Sequence, residues 1–119
     1  MAKKAIPSKN PLEGRWRITS MEQWDQDYVD EEEKGYFEFG PHNSGSFHFG
    51  YVQGIMDCRA TLRDGIPRID FTWEGNDESD EAQGRGWVVL DGTELKGEIF
   101  FHEGDDSEFR ATKQNLKGA

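Results

Sequence analysis

The chain has 119 residues, 34% of them hydrophobic and 13% aromatic, enough for one domain with a packed core and too few for two. Its formal net charge of −10 argues against nucleic acid and anionic membrane as partners. A lone cysteine, Cys58, excludes an intrachain disulfide, and no apolar run reaches the length of a membrane span. Aromatic residues are abundant, leucine and alanine are scarce, and 14 glycines are spread where a helical protein carries helix formers, so the class is all-β.

Residues 1–11 carry three lysines and two prolines without an apolar period and without the apolar centre of a signal peptide. They read as a mobile tail on a cytoplasmic protein. A single domain spans 12–114, and 115–119 form a frayed end. Gly14 to Ser20 is the first strand, with Trp16 and Ile18 facing in and Arg15 and Arg17 out. Ser20 to Gly35 is the one stretch where a helix competes, because Ser20 and Gln23 fit a capping box and Met21, Trp24 and Tyr28 share a helical face. The six acids from Asp25 to Glu33 repel one another along any such helix. A short helical turn within a loop is expected, held only if Trp24 and Tyr28 dock on the body of the protein. Lys34 to Gly40 is the next strand, Phe37 and Phe39 inward, and Gly40 to Gly45 closes a hairpin. Ser46 to Leu62 is either one bent strand or two separated near Gln53 and Gly54. Phe47, Phe49 and Tyr51 alternate on odd positions and Met56, Cys58, Ala60 and Leu62 on even ones; such a change of parity demands a bulge or a turn.

After a turn at Arg63 to Gly65, Arg68 to Trp73 alternates strictly, with Ile69, Phe71 and Trp73 on one face and Arg68, Asp70 and Thr72 on the other. Glu74 to Gly84 reads as an acidic, glycine-punctuated loop, longer than an ordinary hairpin connection and so a candidate for function. Arg85 to Leu90 is a strand that turns at Asp91 and Gly92 into Glu94 to His102. Two registers compete there. A plain type I′ turn sets Trp87 opposite Lys96 and Val89 opposite Glu94. A three-residue loop with Gly92 in the left-handed position sets Trp87 opposite Leu95; it is preferred because it gathers Trp87, Val89, Leu95, Ile99 and Phe101 inward. Glu103 to Asp106 is the last turn, and Ser107 to Lys113 the last strand with Phe109 and Ala111 inward.

Seven or eight consecutive antiparallel strands joined mostly by tight turns fit a small up-and-down β-barrel, with a two-sheet sandwich as the alternative. Gly14-Arg15-Trp16 in the first strand and Phe109-Arg110-Ala111 in the last resemble the calycin superfamily of lipocalins, fatty-acid-binding proteins and avidins. That resemblance implies a calycin-like barrel in which Arg110 packs over Trp16 at the closed end, although Arg110 alternates to the outer face. The polar biotin-site residues of avidins have no counterparts here. The segment Trp73-Glu74-Gly75-Asn76-Asp77-Glu78 with Gly84-Arg85-Gly86-Trp87 and His102 to Ser107 also looks like a group of small bacterial proteins without an assigned function; this resemblance carries no activity.

Of the 24 acidic residues, 15 lie in three runs, Asp25 to Glu33, Glu74 to Glu81 and Glu103 to Glu108, read first as solvating loops around an aromatic-rich barrel. A basic protein or a divalent cation is the alternative partner; Asp25-x-Asp27-x-x-Asp30 lacks the glycine and terminal glutamate of a calcium loop. His42, His48 and His102 are too scattered for a metal motif and read as surface or turn residues. Cys58 reads as a small apolar filler and Asp70 as an exposed outer-face acid. No nucleophile sits in a recognisable elbow, so no catalytic residue and no cofactor are expected. A binding site then rests on position: Trp73 and Trp87 flank the long loop, forming an aromatic floor beneath Glu74, Asn76 and Arg85 at one barrel mouth. The expected function is non-catalytic binding of a compact aromatic or amphipathic molecule there, by a monomer or homodimer. The alternative is an acidic module that binds a basic protein, as an inhibitor or immunity-type partner does.

Overall fold

The computed structural model describes residues 10–114, among which alternating apolar side chains produce eight strands. They are β1 (Gly14–Met21), β2 (Tyr36–Phe39), β3 (Ser44–Phe49), β4 (Val52–Arg63), β5 (Ile66–Asp77), β6 (Asp80–Asp91), β7 (Glu94–Phe101) and β8 (Asp106–Lys113). Each pairs antiparallel with the next and β8 closes on β1, which makes a closed up-and-down barrel. Of the expected tails, residues 1–9 and 115–119 lie outside the described residues. Asn10 begins the body of the protein: its carbonyl and side chain accept bonds from the Glu13 and Leu12 N–H groups, and Leu12 is fully buried.

The interior is packed with rings. Phe37 stacks on Phe109 with centroids 4.3 Å apart and on Phe47 at 5.1 Å, and Trp73 meets Phe47 edge-on at 5.0 Å. Glycines make this packing possible. Phe47 faces Gly54, Phe71 faces Gly86, Trp73 faces Gly84 and Phe109 faces Gly97 across adjacent strands. A Cβ added at Gly54, Gly86 or Gly97 would come within 2.6, 2.5 and 2.7 Å of the facing ring. Large rings thus lie over empty positions on the neighbouring strand and fill the interior of a narrow barrel.

Several expectations are corrected. Ser46 to Leu62 divides into β3 and β4, and the turn falls at Gly50 and Tyr51 rather than near Gln53, with Gly50 at φ 57. Glu74 to Gly84 is no loop: β5 and β6 pair without interruption to Asp77 opposite Asp80, leaving only Glu78 and Ser79 at the tip. The β6–β7 register matches neither alternative, since Asp91 pairs with Glu94 and Leu90 with Leu95 about a two-residue loop of Gly92 and Thr93. Gly84, Gly86 and Val88 therefore face inward, and Trp87 and Val89 face out. The helical turn forms as α1 (Gln26–Val29), but its N-cap is Asp25, whose side chain accepts from Tyr28 N–H; Met21 belongs to β1, so the Ser20 capping box does not form. Trp24 and Tyr28 do dock on the barrel core. Arg110 does not pack on Trp16. It pairs in register with Ser20 and bonds to Asp91 and Glu94, while Lys113 Nζ lies 4.9 Å from the Trp16 ring centroid.

Candidate functional site

In an eight-strand meander the connections β1–β2, β3–β4, β5–β6 and β7–β8 all emerge at one end, here the upper end. The three acidic runs fall in three of these connections and the strand ends beside them, so segments about 50 and 25 residues apart share one surface. Among the described residues the four upper connections contain a single lysine or arginine, Lys34. The convergence is visible at two tyrosines. Glu31 first, then burial, Glu32 and Glu78, hold the Tyr51 phenol above its ordinary pKa. Burial first, then Asp77, Glu78 and Glu32, raise that of Tyr28 against a lowering bond from Tyr51 N–H.

Specific bonds tie the first acidic run to the barrel wall. Arg17 donates to both carboxylate oxygens of Asp30, at 2.9 and 2.8 Å. His48, expected at the surface, is instead buried on β3, with Nδ1 2.8 Å from Glu33 Oε2 and Nε2 3.0 Å from Glu32 Oε1. His42 and His102 lie exposed in turns as expected. Asp77, Glu78, Asp80, Glu81 and Asp105 form no ion pair among the described residues.

At the barrel mouth on this end is a groove of about 300 Å³ between the β1–β2 connection, the β5–β6 tip and the β7–β8 turn. Trp24 and Phe101, 5.9 Å apart and both only part-buried, form its floor; Asp77, Asp80, Glu81 and Asp105 stand around it. The groove lies beside the Glu74 to Gly84 segment, where the sequence suggests a mouth, but its aromatic residues are Trp24 and Phe101 rather than Trp73 and Trp87. The missed signal was Trp24 immediately before the acidic run, an aromatic with no strand period to bury it.

The five residues expected at the mouth are divided between two faces. Trp73 is 3% exposed inside the barrel, its Nε1 donating to the Phe100 carbonyl at 3.2 Å. Glu74, Arg85 and Trp87 lie on the outer wall, as does Asn76, which donates to the Glu78 carbonyl at the hairpin tip. Trp87 sits opposite Asp70 with the Arg68 guanidinium 5.0 Å from its ring, and Arg85 stacks on Phe100 at 4.2 Å. Glu74 and Arg85 border an open groove of about 770 Å³ on that wall, lined also by Thr72 and Phe100 with Trp73 beneath. Asp70 is outward, bonded to Arg68. Cys58 is buried, and burial pushes its thiol up to about 11, so it is no nucleophile near neutral pH. Among the described residues no three histidine, cysteine or acidic side chains converge as metal ligands. No described helix is long and apolar enough to cross a membrane.

Comparison with protein-family models, with curated protein sequences and with solved structures returns no match to this chain.

Proposed function

We propose that this protein is an acidic interaction module whose upper end binds a basic protein. One observation carries the reading: the meander brings three acidic runs to the same end, around part-exposed aromatic residues, with Lys34 the only described lysine or arginine in those connections. Mutual repulsion among these acids opposes folding, and a cationic surface set against them relieves it on binding. A filled interior further supports a surface mode of recognition. The single buried thiol fits a cytoplasmic location, and the eight-strand meander with Gly14-x-Trp16 fits a calycin-like barrel in which Lys113 replaces the arginine.

The test is positional. Glu31→Gln with Glu78→Gln at the upper end, and Glu13→Gln with Asp64→Asn at the opposite end, change net charge equally. Titrated with an arginine-rich peptide at low salt, the first pair should weaken binding several-fold and the second hardly at all. Equal effects would reduce the interaction to net charge and remove the reading. A small-molecule site retains one supporting observation, the 770 Å³ wall groove beside Glu74 and Arg85. If that groove holds a compact aromatic ligand, Arg85→Ala weakens binding while leaving the melting temperature nearly unchanged.

A further inference from the structure

The mouth groove differs from the rest of the acidic end because charge there is set over an apolar floor. Trp24 reaches it from the β1–β2 connection, where it is packed against Phe49 at 5.2 Å and Phe101 at 5.9 Å. Phe101 comes from the end of β7, and the surrounding carboxylates come from the β5–β6 tip and the β7–β8 turn. Hydrophobic burial explains why the two rings meet. It does not explain why they stay part-exposed beneath four acids that pair with no described lysine or arginine.

The chemistry that satisfies both layers is a planar cation. A guanidinium can lie on an indole or phenyl face and still direct its N–H fork at carboxylates around the rim, whereas an ammonium is a compact, strongly hydrated point charge that gains less from the ring. The groove volume of about 300 Å³ is of the size for one long side chain and too small for a folded element. We propose that the groove between Trp24 and Phe101 receives an arginine side chain from the basic partner, held by stacking on the floor and by Asp80 and Asp105 at the rim. This inference rests on the acidic-end reading and specifies the residue that reading leaves open.

Two peptides of equal length and charge, one of arginine and glycine and one of lysine and glycine, separate the two levels. Each is titrated against the parent, against Asp80→Asn/Asp105→Asn in the groove, against Asp27→Asn/Glu31→Gln at the same end outside it, and against Trp24→Leu. The expected result is tighter binding of the arginine peptide to the parent and a loss of about tenfold in the groove pair, with a loss of about twofold in the outside pair. Trp24→Leu should abolish the arginine-over-lysine preference while the lysine affinity holds; a circular dichroism melt verifies that this variant folds, and the charge pairs decide the matter if it does not. Binding that falls equally in both charge pairs, without arginine preference, overturns the groove and leaves the acidic end standing. Absence of binding by either peptide overturns both.

Discussion

Asp30 is the residue on which the acidic connection depends. Burial acts to raise its pKa, but the bonds from Arg17, from Gly35 N–H and from Gln26 outweigh that and hold it below the ordinary carboxylate value. A carboxyl lowered on folding contributes stability that is present above its unfolded pKa and lost as pH falls through the folded one. Asp30→Asn should therefore cost about 1 to 3 kcal/mol at neutral pH, and its gap from the parent should close as pH falls below about 4. Urea midpoints measured across that range check it; a gap independent of pH would show that shape, not charge, is what Asp30 contributes. Cys58 permits a second measurement. Buried and with its thiol pushed up to about 11, it should label with a thiol-reactive dye only as fast as the barrel opens, and rapidly once unfolded. The small-filler role was legible from its even-position partner Met56, although the inward alternation ends at Cys58 because Ala60 and Leu62 are exposed; the burial of His48 was not legible, because its cover comes from Glu32 and Glu33 across a connection.

At the scale of the element, the facing of β6 shows where periodicity runs out. Trp87-Val88-Val89-Leu90 is apolar on both faces, so hydropathy cannot choose between them, and the inward positions before it are glycines, which carry no hydropathic signal. The deciding term is volume: Phe71 and Trp73 on β5 already fill the space over Gly86 and Gly84. Gly84→Ala would bring a Cβ within 1.8 Å of the Phe100 carbonyl oxygen, and Gly86→Ala within 2.6 Å of that of Glu98. Each should cost at least the roughly 1 to 3 kcal/mol of an overpacked core. Gly92→Ala meets nothing within 4 Å and loses only the left-handed conformation at φ 68, so about 1 kcal/mol is expected. Thermal melts of the three should rank accordingly; a Gly92 variant as damaged as the Gly84 one would contradict the packing account. Gly75 misled in the same way. It reads as loop punctuation, yet it lies against Gly54 of β4, where a Cβ would fall 1.8 Å from the Gln53 carbonyl oxygen.

Across the whole molecule, concentrating acids at one end predicts that screening stabilises the fold. Sodium chloride should raise the melting temperature, and calcium chloride at equal ionic strength should raise it no further. An excess with calcium that saturates at low millimolar concentration would indicate specific binding to the native state and reassign the acids as ligands. Alternation of rings along Phe37 to Phe39, Ile69 to Trp73 and Phe109 to Ala111 determined the all-β class and most of the core without help, because a half-buried strand needs only its own period to choose a face. The end of the barrel at which each connection emerges was not determined that way. Had Gly50 and Tyr51 continued one bent strand, the connection after Met21 would lie opposite the β5–β6 tip, and the strand count would be odd. An odd meander cannot close with its first and last strands antiparallel, so closure of β8 on β1 requires the turn, and the turn in turn sets all three acidic runs on one surface.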